Sequence, residues 1–296
     1  GRRIAPSLGR CSMYAVAGVS GNTGAVVART LLERGEPVRV IVRDAAKGEP
    51  WKALGAEVAV ADLADVPALT AALQGTRGFY SLVPAVYGAA DPVAAGAEVG
   101  RGLVEAVKAA GSHLVLLSSV GAHQPSGTGP IVVLHRTEEA AKAAGIRATF
   151  LRAGYFFENF AMLLQPITTD GVLPSFIGPG VAVQTVTVHD IGLAGADLLV
   201  DAPASGQRIV ELGGPTDPTP EDVAAAFGRA LGRPVVAAFQ PLEAVVPTFQ
   251  AMGMPPAWAR LYEELYRGVA DGTIAPDAPV RRGKDSLDVA ARRLLA

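Results

Sequence analysis

The 296-residue sequence predicts an α/β protein in which a doubly wound parallel sheet is followed by a smaller, mostly helical C-terminal lobe. Three observations carry that expectation. From Met13 to about Arg152, short apolar runs alternate with helical stretches closed by glycine. The runs are continuously apolar rather than alternating, as strands covered on both faces must be. A glycine-rich turn, Gly18-Val19-Ser20-Gly21-Asn22-Thr23-Gly24, joins the first run directly to the first helical stretch. Alternating β and α of this kind closes into a parallel sheet with right-handed crossovers, the Rossmann-type arrangement.

In chain order the strands are expected at Met13–Ala17, Val38–Arg43, Glu57–Val60, Phe79–Val83, Leu114–Leu117 and Thr149–Arg152. Helices are expected near Thr23–Arg34, Pro67–Leu73, Pro92–Ala110 and Ile131–Ala144, each followed by a glycine that can end it. Asp65 and Asp91 precede Pro67 and Pro92, pairing a side-chain acceptor with a ring that pre-sets the first turn. Past Arg152 prolines interrupt short segments, and helices at about Glu221–Leu231, Leu242–Met252 and Pro256–Val269 dominate. Thr219-Pro220-Glu221-Asp222 is a strong helix start, and His189-Asp190 reads as an N-cap pair. Residues 13–152 are therefore read as a nucleotide-binding domain and 153–296 as a substrate lobe packed on it. The chain is expected to return to the sheet near 185–190 and 207–212, and residues 1–12 read as an N-terminal extension.

Composition narrows the function. Half the residues are hydrophobic and 18% are charged, and a chain this long buries enough surface to need neither disulfides nor metals. Cys11 is the lone cysteine, and no Cys/His cluster has zinc-ligand spacing. A net charge of −2 gives no global attraction to nucleic acid or to an anionic membrane. The apolar run after Arg2, Arg3 and Arg10 is too short for a secretory signal, and none is long enough to span a bilayer. A cytoplasmic protein is the expectation.

The glycine turn is a dinucleotide loop. Gly18 makes the tight turn, Gly21 lets backbone amides approach a pyrophosphate, and Gly24 lets helix and strand pack closely. The helix start adds unpaired N–H groups and a partial positive charge, with Ser20, Asn22 and Thr23 as further donors. Arg43 stands at the end of the second strand, where NAD-binding chains usually place an acid. A guanidinium forked onto a 2′-phosphate contributes ~1.5–3 kcal/mol, which after solvent screening is still roughly ten- to several hundred-fold in favour of NADPH. The competing reading is a solvated Arg43 with Asp44 bonding the ribose. Asp62, with Leu63 at the end of strand three, either accepts from the adenine amino group or caps the next turn. Leu82, Val83 and Pro84 pass the nicotinamide ribose at the carboxyl edge of the sheet, with Ser118 ending strand five on the same edge.

The loop, Asp62-Leu63, Ala71-Ala72-Leu73-Gln74-Gly75, Leu116-Leu117-Ser118-Ser119-Val120-Gly121-Ala122 and Leu151-Arg152-Ala153-Gly154-Tyr155-Phe156-Phe157-Glu158-Asn159 together resemble the NmrA-like branch of the atypical short-chain dehydrogenases/reductases. The resemblance runs from Met13 to the chain's end, and its most specific stretch is the last of these segments. It implies NADP(H), a small substrate lobe, and either quinone- or enone-reductase activity or redox sensing without turnover. By the same likeness Pro130 and Leu134 stand where short-chain dehydrogenases carry a catalytic tyrosine and lysine, so that dyad is missing.

Candidates for the chemistry are then Tyr155, His135 and Ser119, each placed by the reading at the catalytic edge, and each with a structural alternative. Tyr155 donates a proton or fills the lobe interface; Ser119 bonds a substrate oxygen or ends its strand; His135 reaches the nicotinamide or is an ordinary helix residue. Tyr87, His123, Phe156 and Phe157 are candidates to line an apolar pocket, Glu158 and Asn159 to cap the helix that starts there. The aromatic lining without a convergent Arg/Lys cluster suggests a flat, uncharged small-molecule acceptor. A redox sensor of NmrA type, with a protein partner, is the alternative from a different class.

Overall fold

The structure, a computed structural model, describes residues 13–296; the expected 1–12 extension lies outside them. Eight strands form one sheet: β1 (Met13–Ala17), β2 (Val38–Val42), β3 (Glu57–Val60), β4 (Thr76–Ser81), β5 (His113–Ser119), β6 (Ala148–Ala153), β10 (Gln207–Gly213) and β12 (Val280–Arg282). Their order is β12-β10-β6-β5-β4-β1-β2-β3, with every pairing parallel. The order reverses between β1 and β4, and ligands bind at that switch point in open α/β sheets. The remaining strands make two short ladders, β7 (Tyr155–Phe156) with β9 (Thr185–Val186) and β8 (Val172–Ser175) with β11 (Val236–Phe239). The return expected near 185–190 therefore goes to β7, off the main sheet, whereas 207–213 does rejoin it.

The helices are α1 (Thr23–Glu33), α2 (Glu49–Ala53), α3 (Val66–Leu73), α4 (Pro92–Ala110), α5 (Val132–Ala144), α6 (Leu164–Asp170), α7 (Val188–Val200), α8 (Pro220–Leu231), α9 (Val245–Ala251), α10 (Pro256–Ala270) and α11 (Leu287–Leu295). Strand alternation splits the core into two faces. Tyr14, Val16, Val115 and Leu117 join Val27, Leu31, Ile191 and Leu199 on the side of α1 and α7. Ala15, Ala17, Leu114 and Leu116 join Leu69, Leu73, Leu103 and Val107 beneath α3, α4 and α5. Helix α7 lies close because two of its residues lack a Cβ; one added at Gly195 would come 2.8 Å from Tyr80 and 3.0 Å from Val27. A third cluster, around Phe157, Leu173, Val223 and Phe227, is the core of the C-terminal lobe. Among the described residues no helix is long and apolar enough to cross a membrane.

Two of the element boundaries that move bear on the site. Strand four is Thr76–Ser81, three residues earlier at its start than the expected Phe79–Val83, because its ladders with β1 and β5 stop at Tyr80 and Ser81. Leu82, Val83 and Pro84 thus lie in the loop beyond the sheet edge. At α7 the cap is Thr187, whose hydroxyl accepts from the Asp190 amide (3.1 Å), so His189 and Asp190 lie within the helix.

Candidate functional site

Strand β1 ends in Gly18, which sits at φ +70°, a conformation that any Cβ would strain. The Gly21 amide donates back to the Gly18 carbonyl (3.0 Å), closing the turn. Gly24 fixes how closely α1 follows: a Cβ there would strike the Ala17 carbonyl and come 2.6 Å from the Gly18 carbonyl carbon. At the start of α1, Asn22 makes no side-chain cap, and no acidic residue occupies the first turn. The amides of that turn are left for a ligand, which is the arrangement a pyrophosphate needs. Ser20, Gly21 and Asn22 are exposed around it, and a Cβ on Gly18 would be 3.0 Å from Leu82.

Thr23 departs from its expected role. Its side chain is buried and its hydroxyl accepts from Tyr80 (3.0 Å), so it ties α1 to β4, and only its backbone faces the loop. Arg43 is exposed just past β2, and among the described residues its guanidinium makes no hydrogen bond or ion pair. Asp44 instead caps the following turn, accepting from the Ala46 amide at 3.0 Å. The Asp62 carboxylate accepts from the Ala64 amide (2.9 Å) with one oxygen, while Leu63 packs half-buried against the core.

Ser118 turns away from the cofactor edge. It shares the α5 face of the sheet with Leu114 and Leu116, and its hydroxyl donates to Glu138 (2.7 Å). There it joins a buried ion cluster. Register places Ser118, Arg152 and Glu211 side by side on β5, β6 and β10. Arg152, 1% exposed, binds Glu138 through two nitrogens (3.0 and 2.6 Å), reaches Asp277 (2.8 Å) and lies 3.6 Å from Glu211. Burial pushes the Glu211 carboxyl up to about 7, with Arg152 opposing and Asp277 adding to the rise. His123 borders this cluster, 3.7 Å from Asp277.

The rest of that distinctive segment is also architecture. A Cβ on Gly154 would meet the Gln184 backbone, the Tyr155 amide donates to the Gln184 carbonyl (2.7 Å), and Phe157 is buried against Phe160 and Phe227. Phe157 is thus largely core, 1% exposed, though it also borders a small cleft with Val186, Pro215 and Asp285, while Phe156, in the β7–β9 ladder, is half-buried against the sheet core. Glu158 accepts from the Val188 amide (2.9 Å), capping α7 rather than the helical turn that begins beside it. His189, Asp190 and Asp285 cluster nearby, but Asp190 already holds two backbone amides and Asp285 is bonded by Thr187, His189 and Arg293.

At the carboxyl edge of the sheet Ser119 donates to the Val120 carbonyl (3.0 Å). His135 contacts the Ala122 carbonyl through Nδ1 (2.9 Å); a carbonyl only accepts, so Nδ1 carries the proton and Nε2 is left as an acceptor. Tyr155 lies in an apolar recess with Phe160, Ile177 and Val183, and burial pushes its hydroxyl up to about 12, with Tyr266 and Asn159 beside it. Tyr87 is exposed, its ring 4.7 Å from that of Trp258. Three residues absent from the sequence reading complete this side: Trp258, Tyr262 and Tyr266 of α10. Their four-residue spacing puts them on one helix face, a stripe that the sequence displays. Helix α10 lies across the loop after β5, since a Cβ on Gly129 would come 3.0 Å from the Leu261 carbonyl carbon and 3.1 Å from the Leu265 nitrogen.

A parallel sheet, a bare glycine turn at its switch point and an uncapped helix start define a nucleotide-binding α/β protein. The chain belongs to the NmrA-like family, whose model matches residues 12–268. It is 31% identical to an NAD(P)H azoreductase of Xenophilus azovorans, covering 86% of each chain. It is 27% identical to quinone oxidoreductase 2 of Escherichia coli (strain K12), over 90% of this chain and 91% of that one. Its fold matches the crystal structure of an NADPH-dependent quinone oxidoreductase from Escherichia coli complexed with NADPH, with TM-score 0.81 and 24% identity over 96% of this chain and all of the other.

Proposed function

We propose that this protein is an NADPH-dependent reductase that delivers hydride to a flat, uncharged acceptor of quinone type. The observation that carries the reading is the polar bareness of the cofactor edge. Gly18, Gly21 and Gly24 put no side chain at three positions of the loop, the first turn of α1 has no cap, and Arg43 stands at the ribose end without a partner among the described residues. These residues fit a dinucleotide: amides for the pyrophosphate, a guanidinium for a 2′-phosphate, and Leu82 to Pro84 beside the nicotinamide. The azoreductase and quinone-reductase relatives support the same assignment.

When bound, NADPH supplies the hydride. The protein's own residues hold the acceptor and exclude water. Tyr155, held neutral by burial, acts as a hydrogen-bond donor toward the acceptor rather than as an acid. His135 offers only its Nε2 acceptor while neutral, and Ser119 is turned to Val120. With Pro130 and Leu134 in place of a tyrosine–lysine pair, the proton that completes reduction comes from solvent. Incubation with NADPH and a quinone panel, followed by nicotinamide absorbance, tests the reading. Oxidation above background is expected. Tight NADPH binding without turnover on any acceptor would favour redox sensing instead.

A further inference from the structure

The loop that follows β4 is fastened to α10 by an aromatic pair. Tyr87 rests on Trp258 at 4.7 Å with 39° between the rings, and the Trp258 indole nitrogen donates to the Val86 carbonyl (3.4 Å). The two rings differ in a way that assigns their roles. Trp258 is 5% exposed, whereas Tyr87 is 53% exposed, so one face of Tyr87 is backed and the other is open. Along α10 the stripe continues through Tyr262, 5.1 Å from Phe249, and Tyr266, 5.4 Å from Phe176, so aromatic packing anchors that face of the helix. Asp91 is the only charged residue in the loop from Leu82 to Asp91, and its carboxylate is occupied by the amides of Val93 and Ala94 at the start of α4. The loop leaves the sheet beside Leu82, which faces the Gly18 turn, so Tyr87 follows five residues after the chain passes the proposed cofactor edge.

We infer that Tyr87 is the stacking surface for the acceptor and that Trp258 is the positioning residue that holds it there, making planar aromatic acceptors the substrate class. This rests on the reductase reading above and sharpens it from uncharged to aromatic. A ring held with one face free binds another ring by offset stacking without first losing its own rotamer freedom. An aliphatic enone offers no matching face. The Tyr87 hydroxyl is not required for such a contact, whereas its ring is.

Menadione and cyclohexenone serve as aromatic and aliphatic probes with NADPH. Tyr87→Ala should raise KM for menadione about tenfold while kcat stays within about twofold, as loss of one stacked ring implies. Tyr87→Phe should restore the wild-type value. Trp258→Ala should show the same KM defect and Trp258→Phe should largely repair it, with NADPH affinity unchanged in all four variants. Cyclohexenone kinetics should not respond to any of them. The inference is overturned if Tyr87→Ala leaves the menadione KM unchanged, or weakens both acceptors equally. Its failure is separable from that of the reductase reading. The chain has two tryptophans, and Trp51 is buried beneath Arg29 near the adenosine end. In a Trp51→Phe background, quenching of Trp258 by menadione in the presence of NADP+ reports binding without turnover. Saturable quenching lost in Tyr87→Ala, with no turnover in the parent, would sustain the subsite and overturn the reductase assignment; turnover with no such quenching would do the reverse.

Discussion

The loop at the end of β1 and the junction where β5, β6 and β10 meet are both polar, and they treat polarity in opposite ways. At the loop the first amides of α1 have no side-chain cap, and Arg43 extends into solvent. At the junction the buried Arg152 holds the buried Glu138 and the more exposed Asp277, Ser118 completes Glu138, and Glu211 is buried 3.6 Å from the same guanidinium. Amides left uncapped at the start of a helix offer their hydrogen bonds to an anion. Polar groups closed on one another hold architecture together. Arg152, at the head of the segment on which the resemblance rests, belongs to the second kind.

The largest effect should come from breaking the closed side. Arg152→Ala leaves Glu138, Glu211 and Asp277 without their cation, and removal of one partner from a buried ion network costs about 3–5 kcal/mol. Urea denaturation should register that loss. A change below about 1 kcal/mol would mean that water enters the junction and that the contrast with the loop is overstated. On the open side Gly24→Ala pushes a Cβ against the Gly18 backbone at 2.6 Å and moves α1 off the turn. NADPH affinity by calorimetry should fall about a hundredfold, equivalent to ~2.7 kcal/mol. Unaltered affinity would show that the helix start does not set the phosphate site.

The sequence displays these two regions unequally, for a physical reason. The loop is local: three glycines within seven residues at a strand-to-helix boundary describe one turn, so the spacing itself reports the geometry. The junction is assembled across the sheet, with Arg152 and Asp277 separated by 125 positions, and no local pattern announces it. That is why Ser118 looks like a cofactor contact when only strand position is known. Pleat alternation, counted from the buried Leu114 and Leu116, puts it on the α5 face, but what it meets there depends on Glu138 from another element. Phe157 illustrates the same limit. An aromatic beside a sheet edge reads as pocket lining, yet Phe160 and Phe227 bury most of it and leave only its rim on a small cleft. The stripe Trp258, Tyr262 and Tyr266 was legible as a helical period, yet its position over the β5 loop depends on Gly129.

A third measurement sharpens the open side. Arg43→Asp should invert or abolish the preference for NADPH over NADH, with the ratio of dissociation constants falling roughly ten- to a hundredfold. Asp44 is occupied by the Ala46 amide and should not compensate. An unchanged ratio in titrations would remove Arg43 from the 2′-phosphate site and leave the loop to bind pyrophosphate alone.

The smallest effect concerns the closed side and depends on pH. Burial lifts Glu211 from 4.5 to about 7, so between those values the folded protein holds a proton that the unfolded chain releases. Stability therefore falls as pH rises through that window; below it Glu211 is neutral in both states, and above it the buried charge is present at full strength. Glu211→Gln keeps the neutral shape and removes the titration. Near pH 5 the variant and the parent should melt together, and near pH 8 the variant should be more stable by about 1 kcal/mol, or ~2–4 °C. His113, lowered to about 4 by burial, imposes the opposite slope, its stabilisation being lost as pH falls from 6.5 toward 4. Both proteins carry His113, so the difference between their melting curves isolates Glu211. A difference that stays flat with pH would mean that Arg152 holds Glu211 ionised throughout, turning the junction into a fully charged network in which Glu211 and Asp277 compete for one guanidinium.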